Sequence, residues 1–411
     1  MKLFFMVNIM ILFTFILLRI LLMLWWDKLY YFGTKDGVTK LKYNLDKLGI
    51  LGIKFQQYLY SRTDIISDEA RKVLLTSLDN NKPQSIVIPG EIRERYTVGK
   101  IIGCGSLAQT YEIFSKKGGE KLCLKLLIPN KSSELRQQIG WLVWFTKYLR
   151  TKYVDWDSFM KHILIQLNFR REAKYIGIYY ETYKEYPLIM TPRLIEHSDN
   201  YIVMSYIKGE PLHKKISIYH HQLLTAFTIH SQKKLNLIHG DLHGGNVMIN
   251  GKTIGIVDFG IVCETKKETK KTLYLFQKCM ADPELENCRN LVKCMALDYV
   301  DQDYEDLHML LTKLKTENRI TNIVVGFQHM CGYLRKNNIL LKGNCLYTFL
   351  SLIILEGVAE KEFDNNSHFL IKALSFMKKD YFFVSECGYY ISQLYKFRVP
   401  FTPQSVLFKY N

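Results

Sequence analysis

The chain has 411 residues, 48% hydrophobic and 23% charged, with a formal net charge of +17 from 56 Lys+Arg against 39 Asp+Glu. This length and composition exclude a disordered chain and allow a full core with more than one minimal domain. Nine cysteines without CxxC pairing argue against a disulfide scaffold or zinc site and for a reducing compartment, and basic residues scattered along the chain read as a Lys-rich surface with some membrane attraction, with no nucleic-acid partner expected.

Residues 3–26 are nearly all apolar. As a helix they would extend about 36 Å, more than a hydrocarbon core of about 30 Å. Arg19 stands toward one end, where it can snorkel, and Trp25-Trp26 suits an interfacial aromatic belt. A cleaved signal peptide is disfavoured by the length of the run and the missing small-residue cleavage site. A buried core helix fits less well, because no face is polar. The expectation is a single transmembrane anchor. Lys28, Lys35, Lys40, Lys42 and Lys47 follow it, which puts the rest on the cytosolic, or equivalent ATP-rich, side.

From about Leu45 to Tyr60 the apolar residues recur with a helical period, and Ser61–Asp64 breaks it. Ser67 predicts the cap of a second helix, ending before Asn80. Three strands follow: Tyr96–Ile102, Thr110–Phe114 and Lys121–Leu127. Residues 134–185 read as helical, with Trp141, Trp144 and Phe145 on an apolar face expected to pack as core. Residues 201–206 form another strand. Asn246–Ile249 and Thr253–Val257 flank Asn250-Gly251, a strong hairpin signal. After about Lys266 the pattern is helical. Strands first and helices later is the order of a two-lobed, kinase-like α+β fold.

The chemistry lies in four blocks. Ile102-Gly103-Cys104-Gly105-Ser106-Leu107-Ala108-Gln109-Thr110 fits a phosphate-binding glycine loop, where absent side chains let backbone N–H groups approach phosphate. Gly pairs are also common in plain hairpin turns. Lys125 ends an apolar strand and needs a buried partner, which in a kinase is the α/β phosphates with a helix glutamate; Glu172 is the candidate. An edge Lys facing water is the bland alternative. His239-Gly-Asp-Leu-His-Gly-Gly-Asn246 and Asp258-Phe-Gly260 have the spacing of a catalytic-loop Asp (Asp241) with metal-binding Asn246 and Asp258. Asp241 would accept a proton from the attacking hydroxyl, while Asn246 and Asp258 offer hard oxygens to Mg²⁺. The usual Arg of H-R-D is Gly240, and no A-P-E follows the D-F-G, which argues against a protein kinase switched by loop phosphorylation.

With these residues the chain resembles the UbiB/ADCK family of atypical, protein-kinase-like proteins over about residues 40–376. Lys54-Phe-Gln-Gln57 followed by Ser61-Arg-Thr-Asp64 resembles the family's KxGQ segment, and Arg171-Glu172-Ala173, Val203–Tyr206, Leu355-Glu-Gly357 and Phe363-Asp364 continue the match. The resemblance implies ATP (or ADP) and Mg²⁺ as cofactors, with nucleotide contacts at the glycine loop, Lys125, Met204 and Tyr206. It also implies that Lys54 and Gln57 cap the site where a protein substrate would otherwise lie. Three departures stand out. Gln56 replaces the Gly of KxGQ, glycines replace an Ala-rich loop, and Gln166-Leu-Asn168 replaces an ExD motif.

The expected organisation is an anchor at 3–26, a KxGQ-like helical extension at 40–90, an N-lobe with a helical insert at 91–210, a C-lobe at 211–376 and a tail at 377–411. The implied function is a membrane-anchored atypical kinase or ATPase serving isoprenoid or quinone-type lipid metabolism, with a lipid or lipid-handling protein as substrate. The alternatives are a small-molecule phosphotransferase, which the His239–His243 loop also resembles, and a nucleotide-binding pseudokinase scaffold.

Overall fold

A computed structural model describes residues 2–62, 64–74, 83–148, 154–212, 217–265, 267–299, 304–317, 323–343 and 345. They divide into two compact units, one built from residues up to 169 with 196–204 and 334–340, the other from 170–195, 205–333 and 341 onward.

The first unit begins with helix α1 (Lys2–Gly33), which breaks at Asp27, where φ is −150° and ψ 77°. Asp27 Oδ1 accepts from the Tyr30 N–H at 2.9 Å and so caps the restarted turn. Thr34 caps α2 (Lys35–Asp46) through Gly37 N–H at 3.0 Å. Next come α3 (Ile50–Ser61) and α4 (Asp68–Leu74), the latter capped as expected by Ser67 Oγ accepting from Ala70 N–H at 3.2 Å. The single helix expected from about 45 to 60 is thus two, parted by a turn at 47–49. The predicted end of the following helix, beyond 74, lies outside the described residues.

The expected membrane span needs correcting. Among the described residues no helix is long and apolar enough to cross a membrane. Side chains of residues 1–12 lie outside the described residues. From Phe13 on, one face of α1 is committed to protein: Phe13, Ile16, Leu17, Ile20, Leu21 and Leu24 are buried, and the Phe13 ring meets Trp141 at 5.2 Å. Arg19 and Asp27 interrupt the apolar run on the other face.

After α5 (Gly90–Arg95) the three expected strands appear as β1 (Tyr96–Cys104), β2 (Ala108–Ser115) and β3 (Lys121–Leu127). Helices α6 (Pro129–Tyr148), α7 (Trp156–Gln166) and α8 (Phe169–Tyr183) occupy the predicted helical stretch. The aromatic face of α6 is not all core, because Trp144 is 63% exposed. Strands β4 (Ile189–Met190), β5 (Leu194–His197) and β6 (Tyr201–Ser205) follow, and the larger sheet runs β1-β2-β3-β6-β5.

The rest of the second unit comprises β7 (Glu210–Pro211), α9 (Ile218–His230) with a π-turn over Ser231–Leu235, and β8 (Leu237–His239). Then come β9 (Val247–Asn250), β10 (Thr253–Ile256), β11 (Val262–Glu264), and helices α10 (Lys267–Ala281), α11 (Leu285–Met295), α12 (Glu305–Thr316) and α13 (Ile323–Lys336). One sheet runs β4-β10-β9-β7, and β8 pairs antiparallel with β11. In the β9–β10 hairpin Asn250 pairs with Thr253, so the two-residue loop is Gly251-Lys252, one residue later than expected. Gly251 at φ 62° takes the left-handed position that opens it. Residues 355–364, which carry the last part of the resemblance, and the 377–411 tail lie outside the described residues.

Candidate active site

The segment expected as the catalytic loop is held between two short antiparallel strands. β8 ends at His239 and β11 begins at Val262, and these two residues pair. Gly240 N–H donates to Ile261 O at 2.8 Å. A Cβ on residue 240 would lie 2.9 Å from Ile261 Cγ2, so the position of the usual Arg is closed to any side chain. His239 is buried and packs edge-on against Phe259 at 5.2 Å. Its Nδ1 accepts from Asp241 N–H at 3.3 Å, which bends the loop. Burial lowers its pKa against the opposing influence of Asp241, Asp258 and the Val257 backbone, so His239 is a neutral brace.

The loop presents its acids. The Asp241 side chain is 40% exposed, with His243 Nε2 at 3.7 Å. Asn246 Nδ2 donates to Asp241 O at 2.9 Å and to Asp241 Oδ2 at 3.4 Å. That fixes the amide and leaves its Oδ1 as an acceptor. Asn246 O takes the Val257 N–H at 3.0 Å, which ties the loop to Asp258. Asp258 has φ 61°, the left-handed region that an L-residue adopts at a penalty. Its Oδ1 accepts from Gly260 N–H at 3.2 Å. Glu172, 2% exposed, lies against this turn: a Cβ on Gly260 would sit 3.4 Å from its Oε2. Arg171 stacks on Tyr175 at 4.6 Å and donates to Val262 O, while Tyr175 OH donates to Glu264 Oε1 at 3.0 Å. Helix α8 is therefore strapped to β11. The second unit thus gathers Asp241, Asn246, Asp258 and Glu172.

The glycine-loop residues belong to the first unit. Gly103 pairs with Thr110 and Cys104 with Gln109, and Gly105 N–H donates to Ala108 O at 2.8 Å, closing the turn around Ser106 and Leu107. Ile102 is 38% exposed, and the Leu107 side chain is buried. The Gln109 side chain turns inward. It is fully buried, and its Nε2 donates to Gln84 O at 2.9 Å while its Oε1 accepts from Gln84 N–H at 2.5 Å. It therefore pins residue 84 to the loop strand. Thr110 stands opposite Lys125 across β2 and β3. Lys125 Nζ sits 5.8 Å from the centre of the Phe169 ring. Met204 is buried on β6, and Tyr206, half-buried, follows that strand in the second unit.

Lys54 and Gln57 lie one turn apart on α3, as the i,i+3 spacing requires. Lys54 is buried, and its Nζ donates to Gln166 Oε1 at 2.5 Å. A neutral amide thus receives the ammonium where the family pattern has a carboxylate. Burial and the Lys54 charge push the pKa of neighbouring His162 down to about 3. Gln56 is fully buried and donates to Asp46 Oδ1 at 2.8 Å, which accounts for its standing where the family has Gly. Gln57 is half-buried.

Sequence reasoning read Arg62 and Asp64 as a helix break and as part of the resemblance, and gave neither side chain a role. Both side chains are fully buried. Arg62 donates through Nε and Nη2 to the two Asp64 oxygens at 2.8 and 2.6 Å and through Nη1 to Tyr58 OH at 2.6 Å. A charged pair placed directly after an apolar helix was the available signal.

The donor set fits a magnesium nucleotide. Among the described residues no group of three or more His, Cys, Asp or Glu side chains could hold a metal alone. Magnesium commonly takes one or two protein oxygens and completes its shell with phosphate and water. Asn246 and Asp258 match that demand.

Residues 96–292 match the family model of the ABC1 atypical kinase-like domain. A protein of Paramecium bursaria Chlorella virus 1 carrying an ABC-transporter name is 20% identical over 327 residues, 76% of this chain and 70% of that one. A Clostridium pasteurianum protein from the hydrogenase 1 5′ region is 22% identical, covering 79% of this chain and 68% of its own. A Blochmanniella pennsylvanica protein named as a UbiB protein kinase is 23% identical, covering 55% and 48%. A solved erythromycin complex from Mycobacterium tuberculosis is similar at 16% identity and a TM-score of 0.44, covering 68% of this chain and 80% of that one.

Proposed function

Over residues 96–292 this chain is an ABC1 atypical kinase-like domain of the UbiB/ADCK family, and from that premise we propose that it binds Mg-ATP and transfers or hydrolyses the terminal phosphoryl group in support of isoprenoid or quinone-type lipid metabolism. The observation that carries this reading is the Asn246–Asp241 hydrogen bond beside a left-handed Asp258. It fixes an amide oxygen, a partly exposed carboxylate and a strained carboxylate within one short segment.

In this reading Asn246 Oδ1 and Asp258 hold magnesium, which when bound neutralises charge growing on the phosphoryl oxygens. Asp241 orients the attacking hydroxyl or water and takes its proton. Lys125 binds the α and β phosphates, and the N–H groups of the 103–108 loop donate to the others; Glu172 lies against the Asp258–Gly260 turn. Gly240 leaves no arginine to receive a phosphorylated loop, so activity does not wait on such a modification. The domain works at a membrane, and the exposed apolar residues of α1 support that placement.

The test is thermal denaturation of the full chain against Mg-ATP, with Asp258→Ala alongside. A magnesium-dependent rise in melting temperature that Asp258→Ala loses is expected. No rise in the parent removes the nucleotide site. A second reading, a nucleotide-binding scaffold without turnover, is favoured by one observation: Gln166 and Asn168 stand where the family has two carboxylates, and Lys54 bonds a neutral amide. Equal ATP consumption in the parent and in Asp241→Asn would select the scaffold.

A further inference from the structure

Helices α10 and α11 meet through sulfur. Cys279 stands in the last turn of α10 and Cys288 in the first turn of α11. Both are fully buried, and their sulfurs lie 3.4 Å apart. Two turns before Cys279 on the same face of α10 is Thr272, whose hydroxyl bonds the sulfurs of Cys294 at 3.2 Å and Cys345 at 3.6 Å. In that second group each thiol has a hydroxyl as partner. In the first, sulfur meets sulfur directly.

Other bonds hold the corner between the two helices. Asp282 N–H donates to Lys278 O at 2.8 Å, and Asn287 Nδ2 donates to Asp282 O at 2.8 Å. From α12, Lys315 reaches Asp282 at 3.7 Å and His308 bonds Pro283 O. The backbone on either side of the thiols is thus fixed without any bond between them. A disulfide of about 2.05 Å asks the sulfurs to approach by about 1.3 Å, a movement that small χ1 rotations on the two cysteines supply. The two thiols also differ. The hydrogen bond from Cys279 lowers the pKa of Cys288, and the same bond, with burial, raises that of Cys279. Cys288 is then the better nucleophile, and Cys279 the neighbour placed to resolve it.

We propose that Cys279 and Cys288 form a modification site, a buried dithiol that hydrogen peroxide converts reversibly to a disulfide joining α10 to α11. The Cys288 thiolate attacks one peroxide oxygen, so an S–O bond forms, the O–O bond breaks and hydroxide leaves to take up the proton that Cys288 gave away. Cys279 then attacks the sulfenic sulfur, an S–S bond forms, the S–O bond breaks, and the departing oxygen carries off the Cys279 proton as water. Two thiols are oxidised by two electrons and one peroxide is reduced to two waters. Thiol exchange with glutathione returns the dithiol, in keeping with a reducing compartment. Because neither thiol is exposed, the first step waits on local opening of the corner, which peroxide, small and uncharged, can enter. The site needs no nucleotide and stands apart from the reading of Asp241 and Asp258. It lies one helix from β11, the strand that pairs with His239.

The experiment exposes the reduced full chain to hydrogen peroxide, caps the remaining thiols with N-ethylmaleimide in denaturant, and maps the digested peptides by mass spectrometry. A Cys279–Cys288 cross-linked peptide is expected, and dithiothreitol should remove it. In Cys279→Ala the sulfenic acid should persist at Cys288 and be trapped by dimedone, whereas Cys288→Ala should leave Cys279 unlabelled. Cys294→Ala should form the cross-link as the parent does. The oxidised parent should also melt a few degrees higher than the reduced one, a shift that Cys288→Ala lacks. Recovery of both cysteines as maleimide adducts from the peroxide-treated parent overturns the site, and so does oxidation that dithiothreitol does not reverse. Dimedone labelling of Cys279 in Cys288→Ala overturns the assignment of the nucleophile. Since the parent's own cross-link is the primary reading, a variant that fails to fold does not shield the proposal.

Discussion

Arg62–Asp64 and His239–Asp241 are each a buried basic side chain followed two residues later by an aspartate. In the first pair both side chains are fully buried, and the fork of the arginine saturates both carboxylate oxygens. In the second the histidine is neutral and buried, bonds only the backbone of the aspartate, and leaves the carboxylate 40% exposed. The first carboxylate is buried, with both oxygens bonded to the arginine. The second has been held in place without being neutralised. What separates a staple from a site here is where the base's hydrogen bond goes, to the carboxylate or to the N–H beside it.

The contrast can be broken most sharply at Asp241. Asp241→Asn should lower ATP turnover by about 10²- to 10⁴-fold, the usual range for losing a general base, with little change in melting temperature. A large fall in stability instead would make Asp241 a second staple. Arg62→Met should do the reverse. Leaving Asp64 buried without its partner should cost about 3–5 kcal/mol in denaturant unfolding, and a loss under about 1 kcal/mol would show the pair to be dispensable.

Asp258 combines both characters and tests whether they separate. Asp258→Gly removes the carboxylate and relieves the left-handed backbone. Unfolding should therefore show a gain of about 1–2 kcal/mol, while the magnesium-dependent thermal shift disappears. Loss of stability together with the shift would mean that the carboxylate's bond to Gly260 outweighs the strain.

The smallest effect concerns His162, whose pKa is pushed down to about 3 by burial and by Lys54. The folded state holds it neutral, while the unfolded chain takes a proton near the usual value of about 6.5. Stability is therefore unaffected above that pH and falls as pH drops from about 6.5 toward 3. Because the ring is only partly buried, the slope should stay below the ideal of about 1.4 kcal/mol per pH unit. Stability of His162→Asn followed by denaturant between pH 7 and 4, as about the accessible window, should be the flatter curve.

Much of the kinase-like part was legible because local pattern and chemistry agree there. Strand alternation gave β3 its bounds, and the 239–246 and 258–260 blocks are contiguous in sequence, so their spacing alone brings Asp241 and Asn246 together. The β8–β11 pair was not legible. Each strand is three residues long, and its register depends on the intervening hairpin. Nor was the inward anchoring of Gln109, whose partner Gln84 stands 25 residues away in the chain. The amino-terminal helix misled for a different reason. Hydropathy reports that a segment avoids water, and the packing of Phe13 on Trp141 is a partner that no local window contains.

The tight contact at Gly240 also constrains how this protein can change. A chain that acquired an arginine at 240, the first step toward control by a phosphorylated loop, would drive its Cβ into a β-branched side chain whose rotamer cannot easily yield. The double change with Ile261→Ala removes the 2.9 Å side-chain contact and leaves the Ile261 O at 3.3 Å, so the small residue at 261 eases the way for the arginine. A switch grafted onto the 239–246 loop therefore needs two coordinated changes.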